Sequence, residues 1–248
     1  MNGVSEVFAT VIMTGVLLAL LSLVLGYSYL AGFNNVYRAE YLYYRQVLLS
    51  MATNMFYVLN GGDYVVTYPR STMALGYRLS GYVGVYVNSS TSPVLLLPCY
   101  SITAASYSTY AQPPRYLYGN SSLVVDDPRL VPSVREFYEN GSARIELDTC
   151  RLYASVQATF DRLGSFYYFN LMVVVLNPVL SPGRGFAELY ASSSSTYWYS
   201  NVYNLTVVVK SPALSSPVTL GPRDIYRQYT GGPVTVSLTV VNVTVVMG

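Results

Sequence analysis

The feature that most constrains this chain is an uncharged apolar stretch near its amino terminus. No Asp, Glu, Lys or Arg occurs between Val7 and Tyr37. An apolar helix needs roughly 20 residues to cross the ~30 Å hydrocarbon layer of a membrane, and this stretch is longer. A helix buried in a soluble core is a poor explanation for an uncharged segment of this length. The sequence therefore predicts a helix that can lie in a membrane.

Helical periodicity continues beyond the uncharged stretch. Apolar residues recur at spacings of three and four, which is typical of a helix with one buried face: Tyr41, Tyr44, Leu48, Met51, Met55 and Val58. A single helix from Val4 to Leu59 would be about 84 Å long, far more than a bilayer requires, so its second half must pack on protein. The segment 32–35 could bend this helix, and Asn60-Gly61-Gly62 should end it.

After Gly62 the pattern changes to short β-branched and aromatic runs separated by Pro, Gly, Ser and Asn. Strands are predicted at residues 64–68, 77–87, 94–101, 143–153, 155–163, 166–176, 203–210 and 234–247. A tight hairpin is predicted at Gly164-Ser165, and residues 107–131 and 192–196 are expected to be surface loops. Many strands without a second helical pattern favour an antiparallel sandwich or a partly open barrel.

The fold class is thus α+β, with a leader at 1–3, an apolar helix at 4–60 and an antiparallel β-sandwich-like head at 61–248. The sharp change of period at residues 60–62 also predicts that a fragment starting at Asp63 folds without the helix. At this length the chain can bury a proper core.

Composition argues against most catalytic and ligand-binding functions. The chain has no His, which excludes Ser-His-Asp and Cys-His catalysis and ordinary zinc sites, and it has neither a Walker loop nor a dinucleotide fingerprint. Its net charge of +2 gives no footprint for nucleic acid. No enzyme activity, metal or cofactor is therefore expected.

Two groups of carboxylates are the remaining candidates for chemistry. Paired carboxylates can hydrolyse glycosides, and four acidic residues are close in sequence: Glu136, Glu139, Glu146 and Asp148. A solvated charged surface is the favoured interpretation of these four. Asp126-Asp127 lacks the spaced ligands of a calcium loop.

The sequence also contains candidate sites for two covalent modifications that are typical of exported proteins, a disulfide and N-linked glycans. Cys99 and Cys150 are the only cysteines, and outside the cytosol they should form a disulfide, whereas two reduced buried thiols are the alternative. Five Asn-x-Ser/Thr sequons are candidates for glycosylation, although a Ser- and Thr-rich chain gives some by chance: Asn88, Asn120, Asn140, Asn204 and Asn242.

The amino-terminal residues Asn2-Gly3-Val4-Ser5-Glu6-Val7-Phe8-Ala9-Thr10, a short polar leader ending in Gly directly before an apolar helix, resemble the start of archaeal type IV pilins. The resemblance covers about the first thirty residues. It implies that a prepilin peptidase-like enzyme cuts between Gly3 and Val4, and that the helix then anchors the subunit in the cytoplasmic membrane. Residues implied in the assembly helix are Glu6, Phe8, Val11, Gly15, Leu18 and Gly26.

The resemblance further implies a structural subunit of an extracellular filament at the cell surface, whose partners are copies of itself and the pilus assembly machinery. An archaellum filament protein or a minor pilin shares the same plan. A single-span, membrane-anchored binding protein is the alternative of a different class. A secretory signal peptide fits less well, because the apolar core is too long and Tyr29-Leu30-Ala31 is a poor cleavage site.

Overall fold

The computed structural model describes residues 3–68, 75–106, 113–161, 164–181 and 185–248. Within those ranges, helix α1 (Gly3–Leu59) is followed by thirteen strands, one short 3-10 helix (Pro128–Leu130) and one short helix α2 (Pro222–Ile225). The strands are β1 (Tyr64–Thr67), β2 (Leu75–Val87), β3 (Leu95–Ser106), β4 (Arg115–Tyr118), β5 (Val124–Val125), β6 (Ser133–Glu139), β7 (Ser142–Asp148), β8 (Leu152–Asp161), β9 (Gly164–Leu180), β10 (Phe186–Val202), β11 (Leu205–Lys210), β12 (Val218–Leu220) and β13 (Val234–Met247).

Helix α1 is unbroken over 57 residues, which corresponds to about 86 Å. The expected bend at residues 32–35 does not occur; the helix continues through them, and the Phe33 ring contacts Tyr29 one turn earlier, at 4.4 Å between centroids. The predicted stop is confirmed. Gly61 adopts φ +89°, a conformation that favours glycine, and its N–H donates to the Val58 carbonyl at 2.9 Å.

Two sheets make up the rest of the described structure. The first has the strand order β1-β10-β13-β9-β8-β5, and the second has the order β12-β11-β2-β3-β7-β6-β4. Most neighbouring strands are antiparallel, as the alternating pattern predicts. The α+β class, a long apolar helix followed by a mostly antiparallel β domain, is therefore confirmed, and the finer assignment as a sandwich stays a prediction.

Strand β13 lies in the centre of the first sheet. It is parallel to β9, from Val234 opposite Tyr167 to Met247 opposite Leu180, and antiparallel to β10 on its other side. Strand β13 therefore lies between β9 and β10, which follow one another in sequence. This parallel ladder and the short parallel pair β5–β8 depart from the purely antiparallel head that the sequence predicts.

The first of two buried cores, the helix core, forms between the second half of α1 and both sheets. The predicted helical stripe is confirmed, because Tyr44, Leu48, Met51, Met55 and Val58 are all at most 1 % exposed. The sheets contribute these buried residues, among others: Leu75, Ile102, Ala104, Val134, Ile145, Leu147, Val174, Leu176, Val241, Val243, Val245 and Met247. The helix core therefore contains side chains from both halves of the chain.

The second core, the sheet core, lies away from the helix and contains side chains of both sheets: Val83, Val85, Cys99, Cys150, Leu152, Phe169, Leu171, Val173, Leu205, Val207, Val209, Val236, Leu238 and Val240. Alternate residues of β13 point to opposite faces. Its even-numbered residues between Val234 and Val240 lie in the sheet core, and its odd-numbered residues between Val241 and Met247 lie in the helix core. Cys99 and Cys150 form the expected disulfide within the sheet core, with Cα atoms 5.5 Å apart.

Three predictions about the head are wrong. Residues 192–196 belong to strand β10, where Ser194 pairs with Val241, because the hydrogen-bonding neighbour rather than the serine-rich composition determines their conformation. Strands β8 and β9 are antiparallel neighbours with Asp161 opposite Gly164, so Gly164-Ser165 begins β9 rather than forming the turn; residues 162–163 lie outside the described residues. The expected loop at 107–131 contains β4, β5 and the 3-10 helix, and its residues 107–112 also lie outside the described residues.

Burial of the second half of α1 argues against the prediction that a fragment starting at Asp63 folds alone. Removing α1 would strip the helix core of Tyr44, Leu48, Met51 and Met55, each at most 1 % exposed. Burying such side chains contributes about 1.5 to 3 kcal/mol each. The second half of α1 is therefore an integral part of the head.

Gly81 marks the closest backbone approach in the second sheet. It lies at a register shift between β2 and β3, and a Cβ built on it would be 1.6 Å from the Lys210 carbonyl oxygen and 3.4 Å from the Cys150 sulfur. Cys150 belongs to the sheet core, where the packing is tight. Only glycine fits without moving the strand.

We expect Gly81→Ala to lower the free energy of unfolding by about 1 to 3 kcal/mol or more, since the added methyl group must displace backbone. Denaturant titration of the detergent-solubilised chain measures this. Gly76→Ala is the matched control in the same strand, because its Cβ would meet only the Thr103 hydroxyl at 3.8 Å. Equal stability of the two variants would contradict the expectation.

Candidate membrane and assembly segment

The first half of α1 protrudes from the head without any cover. Within the described residues, α1 is the one helix long and apolar enough to cross a membrane, judged by length and composition. From Val7 to Leu30 every large apolar side chain is at least 54 % exposed. An isolated chain in water would not tolerate an apolar surface of this extent. This part of the helix therefore requires an apolar environment from outside the subunit.

The predicted assembly residues all lie on this protruding part. Phe8, Val11 and Leu18 are exposed by 66 %, 64 % and 62 %. Cβ atoms built on Gly15 or Gly26 would meet nothing within 4 Å. A glycine inside a helix lowers helix stability by roughly 1 kcal/mol relative to alanine. Packing within the subunit does not explain why Gly15 and Gly26 are glycines.

The predicted processing bond lies at the start of the same helix. The described helical backbone begins at Gly3 and includes Val4 and Glu6. Their side chains, and the leader residues 1–2, lie outside what the structure describes.

Polar side chains of the protruding half satisfy their own hydrogen bonds. The Thr14 hydroxyl donates to the Thr10 carbonyl at 2.7 Å, and the Ser22 hydroxyl donates to the Leu18 carbonyl at 2.8 Å. Such bonds to the preceding turn are common where no water is available to hydrogen-bond the side chain. These two hydroxyl groups therefore suit a segment that leaves water.

A cluster of aromatic residues marks the end of the apolar half. Tyr29, Phe33 and Tyr37 are neighbours along one face, with ring centroids 4.4 Å apart for the first pair and 6.1 Å for the second. Arg38, the first basic residue of the helix, follows directly. Tyr and Trp are enriched where a membrane helix meets water, so this cluster has the composition of an interface.

A buried carboxylate joins α1 to the head. Glu136 of β6 is 1 % exposed. It accepts a hydrogen bond from the Tyr41 hydroxyl at 3.2 Å and another from the Arg115 guanidinium, and the Arg45 Nε lies 3.8 Å from the same carboxylate. Two of these three partners are helix residues. A buried carboxylate needs such partners, so the Tyr41 hydrogen bond and the nearby Arg45 charge help to hold the helix on the sheet.

A second buried carboxylate lies on the outer side of the second sheet. Glu146 of β7 is fully buried and receives Arg78 Nε at 3.0 Å, Arg135 Nη2 at 2.7 Å and the Ser101 hydroxyl at 2.6 Å. Arg135 also stacks over the Phe137 ring at 4.5 Å. Paired guanidinium groups and a hydroxyl satisfy the carboxylate, as burial of a charge requires.

The expected solvated surface of the four acidic residues is therefore wrong for three of them. Glu136, Glu146 and Asp148 are at most 3 % exposed, and only Glu139, at 41 %, reaches water. Arginines distant in sequence pair with Glu136 and Glu146, so burial of these carboxylates was not visible in the local pattern. Asp127 accepts hydrogen bonds from the Arg129 backbone and guanidinium groups and caps the 3-10 helix.

The sequons divide into two structural groups. Asn88, Asn120 and Asn140 lie in exposed turns, and the two whose side-chain contacts are described use the carbonyl oxygen: Asn88 accepts from the Tyr203 N–H, and Asn120 from the Ser122 N–H. Asn204 and Asn242 instead donate their amide nitrogens to serine hydroxyls, at 2.8 and 2.9 Å. Asn242 is also half-buried within β13.

Comparison of the chain with protein-family models, with curated proteins and with solved structures finds no match.

Asp148 is a buried acid with a perturbed pKa. It is 3 % exposed, and burial raises its pKa from 3.8 to about 6; the Glu146 charge adds to this, whereas the hydrogen bond from the Cys150 N–H and the charges of Arg151 and Arg135 oppose it. Between about pH 4 and pH 6, Asp148 therefore keeps its proton in the folded state and loses it in the unfolded state. Stability from this group is complete below about pH 4 and is lost as pH rises through about 6.

We expect the free energy of unfolding to fall by about 2 kcal/mol between pH 4 and pH 7 on account of Asp148, because each pKa unit is worth about 1.36 kcal/mol and a small part of the effect is already lost at pH 4. Asp148→Asn mimics the protonated acid and should remove that part of the pH dependence. Denaturant titrations at both pH values measure it, with Asp126→Asn, at an exposed position, as the control. An unchanged pH dependence in Asp148→Asn would contradict the assignment.

Proposed function

We propose that this chain is a structural subunit of an archaeal type IV pilus-like extracellular filament, assembled through its amino-terminal helix. The observation that carries the proposal is the division of α1. Its first half is apolar and uncovered, whereas its second half is built into the core of the head. A β-sandwich-like head would then face the medium, available for adhesion or surface contact.

One apolar surface can serve two environments in succession. Before assembly the protruding helix lies in the cytoplasmic membrane, because its uncharged stretch is long enough to cross the hydrocarbon layer. After a prepilin peptidase-like enzyme cuts between Gly3 and Val4, the same surface is buried against helices of other copies. Contacts that join different faces of identical subunits, without closing into a ring, produce an open helical polymer.

Continuity of α1 supports a rigid link between these two environments. The helix has no break between its apolar half and the residues buried in the head. Tyr41 and Arg45 tie it to Glu136 just beyond the aromatic cluster. Packing of the helices would therefore set the orientation of every head.

Gly15 and Gly26 provide places where neighbouring helices can approach closely. Small residues allow this in membranes and in packed helical bundles. Nothing in the subunit itself occupies the space next to them. Their use would lie in contacts between copies.

The rival functions share parts of this evidence. An archaellum filament protein or a minor pilin has the same helix-plus-head plan and differs in its abundance within filaments. A single-span anchored binding protein needs the apolar half only to cross the membrane, so it does not need close packing between helices. Altering helix packing without altering membrane insertion separates these functions.

We expect Leu18→Arg to abolish filaments. A central charge costs on the order of 3 kcal/mol in a membrane helix, and it would be unpaired in an apolar helical core. Gly26→Leu keeps the helix apolar and should still insert, yet it should reduce filament number several-fold by separating neighbouring helices. Electron microscopy of cells and immunoblots of the membrane fraction give the two readouts.

Val24→Leu is the matched control in the helix, because Val24 is already a large side chain with 63 % exposure. Leu96→Arg is the control for the charge, since Leu96 is exposed on the head. Normal filaments from membrane-inserted Leu18→Arg subunits would refute assembly through the helix. Absence of the wild-type chain from any filament would favour the anchored binding protein.

Export to the surface would also bring the sequons to the glycosylation machinery. We expect glycans at Asn88, Asn120 and Asn140, which are exposed in turns, and none at Asn242, which is half-buried with its amide nitrogen hydrogen-bonded. Glycopeptide mass spectrometry of the surface protein checks this, and Thr244→Ala should leave the mass of the glycans unchanged. A glycan at Asn242 with bare turn sequons would contradict it.

A further inference from the structure

A surface cavity of about 350 Å³ lies on the second sheet, beside the Glu146 cluster. Strands β2 and β6, the end of β11 and the segment after it form its walls. The lining residues are Arg78, Leu79, Ser80, Arg135, Phe137, Glu139, Lys210, Pro212 and Leu214. Pockets for small molecules start at about this size.

The charges around the cavity do not balance. Glu146 forms ion pairs with both Arg78 and Arg135, so its single negative charge balances only one of the two guanidinium groups. Glu139 lies 3.7 Å from Arg78 and 3.1 Å from Arg144. The cationic side chains that line the cavity are Arg78, Arg135 and Lys210, and the carboxylates beside them are Glu139 and Glu146. One positive charge therefore remains without an anion.

Lys210 is the least satisfied of these cations. Its ammonium group donates to the Leu214 carbonyl, and no carboxylate of the described residues lies within salt-bridge distance. An ammonium group has three N–H donors, so two remain for a ligand. Lys210 is also the only lysine of the chain.

Apolar side chains complete the walls. Leu79 is 64 % exposed, and Phe137, Pro212 and Leu214 line the same space. The Phe137 ring is held under the Arg135 guanidinium at 4.5 Å. A ligand that fits must offer both a negative charge and an apolar body.

We propose that this cavity binds a small organic carboxylate, whose charge contacts Lys210 and the Arg78–Arg135 pair and whose apolar part packs on Leu79 and Phe137. The carboxylate neutralises the excess charge that the cavity carries. Bidentate guanidinium and ammonium donors are the groups that recognise carboxylates in proteins. The lining of the site includes no residue of α1.

The single lysine makes the test specific. The full chain in detergent is treated with an acetylating ester, and the peptide that contains Lys210 is followed by mass spectrometry. Phenylacetate at ten times its Kd should slow acetylation of Lys210 about tenfold, because roughly one tenth of the sites then stay free. Neutral 2-phenylacetamide, at matched ionic strength, should give no protection.

A second measurement tests the role of the charge. Calorimetric titration should give about tenfold weaker phenylacetate binding for Lys210→Gln, which loses one charge-assisted hydrogen bond but can still donate to Leu214. Arg227→Gln removes the same charge at an exposed position outside the cavity and should bind normally. Equal protection by the neutral amide, no protection by phenylacetate, or wild-type affinity in Lys210→Gln would each overturn the proposal.

Discussion

The structure depends on burial of one long helix in two different ways. Its second half fills the space between the sheets and supplies some of the most completely buried side chains of the molecule. Its first half has the same apolar character and no cover at all. The hydrophobic effect stabilises a structure in proportion to the apolar area that it buries. The subunit by itself buries only the second half of the helix. Lipid or other chains must cover the apolar surface of the first half.

Buried charge gives this arrangement its specificity. Apolar packing alone would let a smooth helix slide or rotate on the sheets, because many apolar side chains of similar size can exchange places. Glu136 accepts from Tyr41 and lies near Arg45, and those two residues occupy neighbouring turns of α1. Any rotation would remove two of the three partners of the buried Glu136 carboxylate and leave only Arg115. A buried ion pair adds little net stability, because removing charges from water is costly, but it disfavours geometries that break the pair.

Sequence reasoning reached the features that are local and missed those that depend on distant partners. The helical stripe from Tyr44 to Val58, the stop at Gly61 and the disulfide follow from periodicity, turn chemistry and cysteine number. Strand β10 was missed because its Ser-rich centre reads as a loop until β13 pairs with it. The burial of Glu146 was missed for a similar reason, since Arg78 lies 68 residues earlier. Interactions between distant residues leave no periodic trace in either partner.

The position of β13 has a consequence for how the head folds. Val234 pairs with Tyr167, and the loop between them must close before any part of that ladder forms. Until then β9 and β10, each 17 residues long, both present an unpaired edge. Non-local pairing of this kind slows folding, and long open edges invite pairing with other chains. Before β13 inserts between β9 and β10, these open edges can pair with strands of other subunits. Mispairing between newly made subunits is therefore most favoured at this step.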